Sequence, residues 1–399
     1  MVKVVKKQKT KAKLKIKPKA KKKIAKKLIL KKRPTKSTSK KTKTKTKTKP
    51  RIISKRKKVI KKKKVKLERH ANNPIIKPSF YPWESKATFN PTAFESDGKV
   101  HILYRAIGDN DTSVLGYASS YDGLNIEERP THAIYQRFYE VSKIGAPIDY
   151  ISGGGWGGGC EDPRLTLIDN TLYMLYTAFD GWGSVRIALT SIALSDFKKK
   201  KWNWSKPVII SPPGEIHKNW VLFPEKINGK FAILHSISPD ILIDYVDNLS
   251  EFNGSKFIKS KYHSEPPWDN SWDNMVRGVG PAPIKTSLGW LILYHSMDKN
   301  DPDRYKLGAL ILDKKDPKKI LYHSNHPILE PDLHYENQGY KWGVIYSCGA
   351  VVKDGILFVY YGGADKFTCV ATIELDELLD SLKKDKRVKL KTNKFLKKI

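Results

Sequence analysis

The stretch Gly157-Gly158-Gly159-Cys160-Glu161-Asp162-Pro163-Arg164 concentrates groups that can exchange a proton with a ligand or hold it by charge. Two carboxylates and a guanidinium follow three glycines, whose missing Cβ lets backbone approach a ligand closely. Pro163 fixes φ and withholds a ladder donor, which keeps the acids at the mouth of a strand rather than inside a regular sheet. The same residues also fit a structural reading, with Glu161 and Arg164 as an ion pair and Asp162 as a turn residue. The pattern alone leaves both open.

The elements that must position these groups repeat. A strand opening, a turn with Gly or Asn and an apolar strand ending in an aromatic–polar pair recur at Asn90–Arg105, Glu161–Thr177, Val221–Ser236, Gly280–Ser296 and Ser347–Tyr361. Aligning Tyr104, Tyr176, His235, Tyr294 and Tyr360 gives spacings of 72, 59, 59 and 66 residues. A repeat of about 60 residues holds one four-stranded sheet with its loops, so the reading is an all-β, five-bladed β-propeller. Helical periodicity is confined to Leu375–Lys384, where Leu375, Leu378, Leu379 and Leu382 share one face and predict a short C-terminal helix. Inner strands of a propeller converge on one axis, so polar residues at equivalent places meet in one pocket. Lys218 precedes the third unit, Arg277 precedes the fourth and His295 ends it, and a propeller aims all three inward. Each also has a plainer reading: Lys218 beside His217 as a solvated loop lysine, His295 as a hydrogen-bonded strand residue, and Arg277 as a partner of Asp273.

Charge sets the domain organisation. Through His70 there are 31 Lys and four Arg against one acid, Glu68, which leaves 41 basic and 39 acidic residues in the rest. The net charge of +36 is thus a property of the first segment, and the remainder carries no nucleic-acid-binding signature. Residues 1–69 read as a disordered basic tail, with its Lys–Thr alternation up to Lys49 and one apolar patch at Ile24–Leu30. Residues 70–399 read as the catalytic propeller. Contact between the tail and a polyanion would be unspecific and salt-sensitive. Neither a secretory leader nor a run of about 20 apolar residues is present, so no transmembrane segment is expected. Three cysteines without metal-ligand spacing, Cys160, Cys348 and Cys369, point to a reducing compartment, the cytoplasm. Nothing in the sequence speaks to oligomeric state.

The ordered set of motifs resembles glycoside hydrolase family 130, the β-mannoside phosphorylases and related mannosidases. It comprises Asn90-Pro91, Tyr104-Arg105-Ala106, Gly159 to Arg164, Lys218-Asn219 before Leu222 to Lys226, and Gly278 to Ile284 with Tyr294-His295. Tyr335-Glu336 with Gly339, and Tyr361 to Asp365, complete it. The resemblance implies an inverting phosphorylase that cleaves a β-mannoside oligosaccharide with inorganic phosphate as co-substrate, without metal or other cofactor, to give α-mannose 1-phosphate. It implies Asp162 as the general acid, its proton passing through a hydroxyl of the bound mannose. It further implies Lys218, Arg277 and His295 as the phosphate site and Asn90, Arg105, Glu161 and Asp365 as substrate contacts. Phosphate is already an anionic nucleophile and needs cationic holders, whereas an inverting hydrolase needs a second carboxylate for its water. A hydrolase is the alternative, with Glu225, Asp273 or Glu336 as base, and a glycan-binding propeller without turnover is another. Trp156, Trp182, Trp220, Trp268 and Trp272 fall in loops, where they either stack on sugars or pack between blades.

Overall fold

The computed structural model describes residues 64–136, 159–179, 185–260, 266–268 and 272–385. Contacts divide the chain after Lys61, and the unit beyond it is described here. The basic tail up to residue 63, Trp156, Trp182 and the whole loop between Arg137 and Gly159 lie outside the described residues.

Strands dominate because short β-branched and aromatic runs are punctuated by residues that turn the chain tightly. Asp97-Gly98 and Asp354-Gly355 each close a two-residue hairpin with φ of 53° and 73° and of 52° and 80°. Such turns need left-handed backbone at both central residues, which Asp and Gly supply.

A two-residue strand, β1 (Glu68–Arg69), precedes five antiparallel meanders among the described residues. The first is β2 (Ala87–Ser96), β3 (Lys99–Ile107) and β4 (Ser113–Ser120). The second is β5 (Gly159–Ile168), β6 (Thr171–Phe179), β7 (Val185–Ala193) and β8 (Val208–Ile209). The third is β9 (Val221–Leu222), β10 (Phe231–Ser236) and β11 (Leu242–Val246). The fourth runs β12 (Met275–Val279), β13 (Ile284–Lys285), β14 (Trp290–Asp298), β15 (Asp301–Leu312) and β16 (Ile320–His323). The fifth is β17 (Ile345–Lys353), β18 (Ile356–Gly363) and β19 (Phe367–Glu374). Hydrogen bonding joins them into four sheets, because one parallel bridge, Ser113 to Gly159, merges the first two meanders.

β1 pairs antiparallel with β19, Glu68 opposite Thr372 and Arg69 opposite Ala371. Leu67 is buried in the core and Arg69 Nε lies 2.7 Å from Glu336 Oε1. The boundary expected between residues 69 and 70 therefore moves toward the N-terminus. The cause is packing, since a two-residue strand at the end of a Lys-rich segment carries no periodicity to read.

The core lies between meanders. One apolar cluster joins the first to the second through Leu103, Leu115, Leu172 and Met174. Others join second to third (Leu175, Leu189, Leu222, Ile233), third to fourth (Phe223, Leu234, Trp290, Ile292) and fourth to fifth (Leu293, Leu307, Leu357, Val359). The last joins the fifth back to the first through Tyr360, Val370, Ile102 and Ala106. Each fully buried aliphatic side chain contributes roughly 1.5–3 kcal/mol. The repeat aromatics Tyr104, Tyr176, Tyr294 and Tyr360 are core residues, and a buried hydroxyl needs a partner. Tyr104 donates to Glu84 at 2.8 Å, Tyr294 to Asp273 at 2.6 Å and Tyr360 to the Gly123 carbonyl at 2.6 Å. The expected C-terminal helix spans Leu375–Lys384 and buries Leu378, Leu379 and Leu382. Cys160, Cys348 and Cys369 are buried and form no disulfide among the described residues. No helix among the described residues is long and apolar enough to cross a membrane.

Candidate active site

The first strands of the meanders break register where the site begins. The β2–β3 register shifts between Phe89 and Thr92, the β5–β6 register between Glu161 and Arg164, and the β12–β14 register between Val276 and Gly278. At these bulges the backbone turns left-handed: φ is 47° at Asn90, 49° at Asp162 and 122° at Gly278, with 67° at Asn219 just before β9. Asn and Asp are the non-glycine types that tolerate this conformation, at roughly 1 kcal/mol each. A bulge re-aims a side chain out of the sheet's alternation, and these ones open onto one cavity.

That cavity, of about 470 Å³, is lined by Asn90, Arg105, Glu161, Asp162, Lys218, Arg277 and Asp365 among others. Seven of the eight residues expected from the sequence thus meet. Arg105 organises them from β3, with Nη2 at 2.7 Å from Glu161 Oε1 and Nη1 at 3.3 Å from Asp162 Oδ1. Its Nε donates to Ser113 Oγ at 2.9 Å, and its guanidinium lies 4.7 Å from the Phe89 ring centroid. Asn90 Nδ2 donates to the same Asp162 oxygen at 2.8 Å. Lys218 Nζ sits 3.4 Å from Glu161 Oε2.

Arg164 stands under the floor and does not pair with Glu161. Its guanidinium donates to the Asp162 carbonyl at 2.8 Å, the Gly280 carbonyl at 2.9 Å and Asn219 Oδ1 at 2.9 Å, tying the β5 bulge to the end of β12 and to the segment before β9. Asn219 in turn donates from Nδ2 to the Arg277 carbonyl at 2.7 Å and accepts from the Tyr346 hydroxyl.

Two carboxyl groups are set apart by these surroundings. Burial pushes the Asp162 carboxyl up, but Arg105, Lys218, Arg164 and the Asn90 amide outweigh it and hold the group below its ordinary range. Burial also raises Asp365, where Arg105 and Lys341 pull the other way and Asp162 and Glu161 add repulsion; the result is about 6. One acid is held ionised and its neighbour changes charge near pH 6, the kind of divergence that acid–base sites exploit.

His295 departs from expectation. It is fully buried and does not line the cavity. Its ring stacks on Tyr346 at 4.2 Å with planes 5° apart, and Nε2 accepts the Ser347 amide proton at 2.9 Å. Burial, then the Arg164 charge, depresses it to about 3, so it is neutral. The physical reason is alternation along β14, which sends His295 behind Tyr346 rather than past it.

Sequence reasoning missed several lining groups. Arg277 Nε donates to the Tyr305 hydroxyl at 3.0 Å, and Lys341 Nζ lies 4.5 Å from the same ring's centroid, so one aromatic platform carries two cations. His217 and His235 line another part with Trp220, one of the tryptophans expected to stack on sugar or pack between blades, which lies 5.3 Å and 5.4 Å from the two imidazoles and also joins the core between the second and third meanders. An Asx residue at or just before the start of a repeat unit, as at Asn90 and Asp162, is the signal that could have exposed Asn219, but no local pattern marks Lys341 or Tyr305. Trp268 and Trp272 are core residues between the third and fourth meanders. Glu225 pairs with Lys285 at 2.7 Å, Asp273 is buried against Trp268 and His323, and Glu336 is buried against Arg69. None of these three acids lines the cavity.

The family model for glycoside hydrolase family 130, described as beta-1,4-mannooligosaccharide phosphorylase, matches residues 43–384. The chain belongs to glycoside hydrolase family 130. Among family members, it is 38% identical to a 1,2-beta-oligomannan phosphorylase of Thermoanaerobacter sp. (strain X514), over 79% of this chain and 99% of the relative. It is 36% identical to a beta-1,2-mannobiose phosphorylase of the same strain, over 78% of this chain and 99% of that one. The solved beta-1,2-mannobiose phosphorylase from Listeria innocua, in complex with beta-1,2-mannobiose, superposes with a TM-score of 0.61 at 25% identity, over 80% of this family 130 chain and 99% of the other.

Proposed function

We propose that this protein is an inverting β-mannoside phosphorylase built as a five-bladed β-propeller. The observation that carries the reaction is the division of the cavity: its carboxylates gather on Arg105, while Lys218, Arg277 and Lys341 line it as well. Such a wall suits an anionic nucleophile. The acids suggested as bases for a hydrolase lie outside it. The propeller reading is supported by the cyclic succession of interfaces, each meander against the next and the fifth against the first.

In this reading Asn90, Arg105, Glu161 and Asp365 hold the mannose to be transferred, and Arg277, Lys218 and Lys341 hold phosphate. A phosphate oxygen attacks the anomeric carbon as the glycosidic C–O bond breaks, inverting β to α. Asp162 delivers a proton toward the leaving oxygen through a sugar hydroxyl, and the hydrogen phosphate's own proton restores the acid for the next turn. Asp162 must first be protonated. Phosphate docking on Lys218 offsets one of the charges, after that of Arg105, that keep it ionised, so nucleophile binding favours the protonated acid. Buried cysteines without disulfides fit a cytoplasmic setting, and the lysines through His70 add unspecific attraction to polyanions.

The test is synthesis in reverse, with α-mannose 1-phosphate and a panel of glucose, mannose, N-acetylglucosamine and short β-mannans as acceptors. Acceptor-dependent phosphate release is expected. Silence there, with mannoside cleavage indifferent to phosphate, would overturn the reading.

A further inference from the structure

Arg277 lines the cavity from a place outside the regular ladder. The β12–β14 register sets Val276 opposite Ser296 and Gly278 opposite His295, so Arg277 is the extra residue of the bulge. A bulged residue takes its orientation from contacts other than the ladder. Asn219, from the third meander, makes one of them, its Nδ2 donating to the Arg277 carbonyl at 2.7 Å. Gly278 gives it room, since a Cβ there would fall 2.7 Å from the same nitrogen. Farther along the side chain, Arg277 Nε donates to the Tyr305 hydroxyl at 3.0 Å.

The Asn219 amide can present that nitrogen in one orientation only. Its Oδ1 accepts from Arg164 Nη2 at 2.9 Å and from the Tyr346 hydroxyl. A flipped amide would set N–H groups against both donors, so the two of them turn Nδ2 toward Arg277. Tyr346 is in turn fixed from behind. Its ring lies on that of His295 at 4.2 Å with planes 5° apart, and His295 Nε2 accepts the amide proton of Ser347, the next residue of β17. The contacts close a ring through three meanders. They run from fourth to fifth at His295 and Tyr346, from fifth to third at Tyr346 and Asn219, and back to the fourth at Arg277.

We infer that Tyr346, braced by His295, is a positioning residue for the nucleophile: through Asn219 it sets where Arg277 meets phosphate. The inference rests on the phosphorolysis reading above and deepens it. The Tyr346 hydroxyl gives its one proton to Asn219, so it has none to offer phosphate. His295 thereby serves the phosphate site without touching phosphate.

The test is a double-mutant cycle of Tyr346→Phe and Arg277→Ala on the full chain, read as the phosphate KM of mannoside phosphorolysis. Tyr346→Phe keeps a ring on His295 and removes one hydrogen bond, so the phosphate KM should rise about three- to tenfold. At saturating phosphate kcat should stay within about twofold, as should the mannoside KM. In the Arg277→Ala background the same change should add nothing. An equal rise in both backgrounds would make Tyr346 independent of Arg277 and overturn the inference, as would an unchanged phosphate KM in the single variant. A fall in kcat alone would overturn it too, since Tyr346 would then act on the chemistry itself. His295→Phe, which keeps a ring under Tyr346, should raise the phosphate KM less than His295→Ala does; equal rises would remove the brace. Calorimetric titration with inorganic phosphate repeats the cycle without turnover, and binding no tighter in the wild type than in Arg277→Ala would overturn the inference. If phosphate binds with the expected coupling while no mannoside is phosphorolysed, the reaction reading falls and the positioning role stands.

Discussion

Asn90 and Asp162 stand at matching bulges of neighbouring meanders, both in left-handed backbone, and the amide of one donates to the carboxylate of the other at 2.8 Å. Both side chains are aimed by backbone geometry that their residue types accept and most others resist. The proposed acid is therefore positioned before any ligand arrives.

Asp162→Asn keeps the size and the backbone tolerance while removing the proton. Turnover should fall by about 10²- to 10⁴-fold, with the melting temperature within a few degrees of the parent. Wild-type rates in phosphorolysis would remove Asp162 as the acid. Asn90→Ala takes away one of the contacts that lowers the Asp162 carboxyl, so the limb of the pH–rate profile that follows its ionisation should move to higher pH.

Charge removal at the anion wall should appear in the nucleophile's kinetics. Arg277→Ala and Lys341→Ala are each expected to raise the phosphate KM by about tenfold or more, because a charged hydrogen bond is worth roughly 1.5–3 kcal/mol. The mannoside KM should change much less. An unaltered phosphate KM in both variants would place the nucleophile elsewhere.

Asp365 links function to stability. Its carboxyl is raised to about 6 in the fold against about 3.9 in an unfolded chain. The folded protein therefore binds that proton more tightly, and the associated stability, full below about pH 4, is lost as pH rises through about 6. Asp365→Asn cannot ionise. Its melting temperature should match the wild type near pH 4 and exceed it above pH 6.5, with activity lost. A constant difference across that range would refute the assignment.

Gly362 is held to glycine by the site rather than by its own dihedral angles. A Cβ there would fall 2.2 Å from Asn90 Oδ1 and 2.7 Å from its backbone nitrogen. Gly362→Ala should displace Asn90 and reduce kcat at least tenfold while the protein still folds. Normal turnover in a crystal-verified variant would show that Asn90 has room to move.

Truncation separates the basic segment from the fold. Removing residues 1–63 should leave the melting temperature and catalysis unchanged. Removing residues 1–70 also takes Leu67 and Arg69 and leaves buried Glu336 without its 2.7 Å partner. Breaking a buried pair costs roughly 3–5 kcal/mol, so the longer deletion should melt many degrees lower. Equal melting of the two would mean that β1 contributes nothing.

What was legible in the sequence was local. Asp97-Gly98 and Asp354-Gly355 announce their hairpins, Tyr104, Tyr294 and Tyr360 announce the repeat, and Leu375–Lys384 announces its helix. The site was legible where an Asx or acid heads a repeat unit, as at Asn90 and Asp162. What was not legible depends on long-range packing. The bridge from Ser113 to Gly159 joins strands far apart in sequence. Lys341 reaches the cavity only because Gly339 lets its segment press against Ala364. His295 stands on the expected strand, but its ring stacks on Tyr346 and is not part of the cavity lining, because a place on a strand does not say how deep a side chain lies.

The pairing of β1 with β19 also bears on how the protein is made. Arg69 and its partner Ala371 are about 300 residues apart, so at ribosomal speeds β1 emerges on the order of 15–60 s before its partner exists. During that interval Leu67 and a free strand edge are exposed to other nascent chains. The dense positive charge through His70 precedes and flanks them, and like charge on an edge is what discourages strands from pairing with strangers. Charge on the segment before β1 thus has a use during synthesis, guarding a strand edge whose partner arrives last.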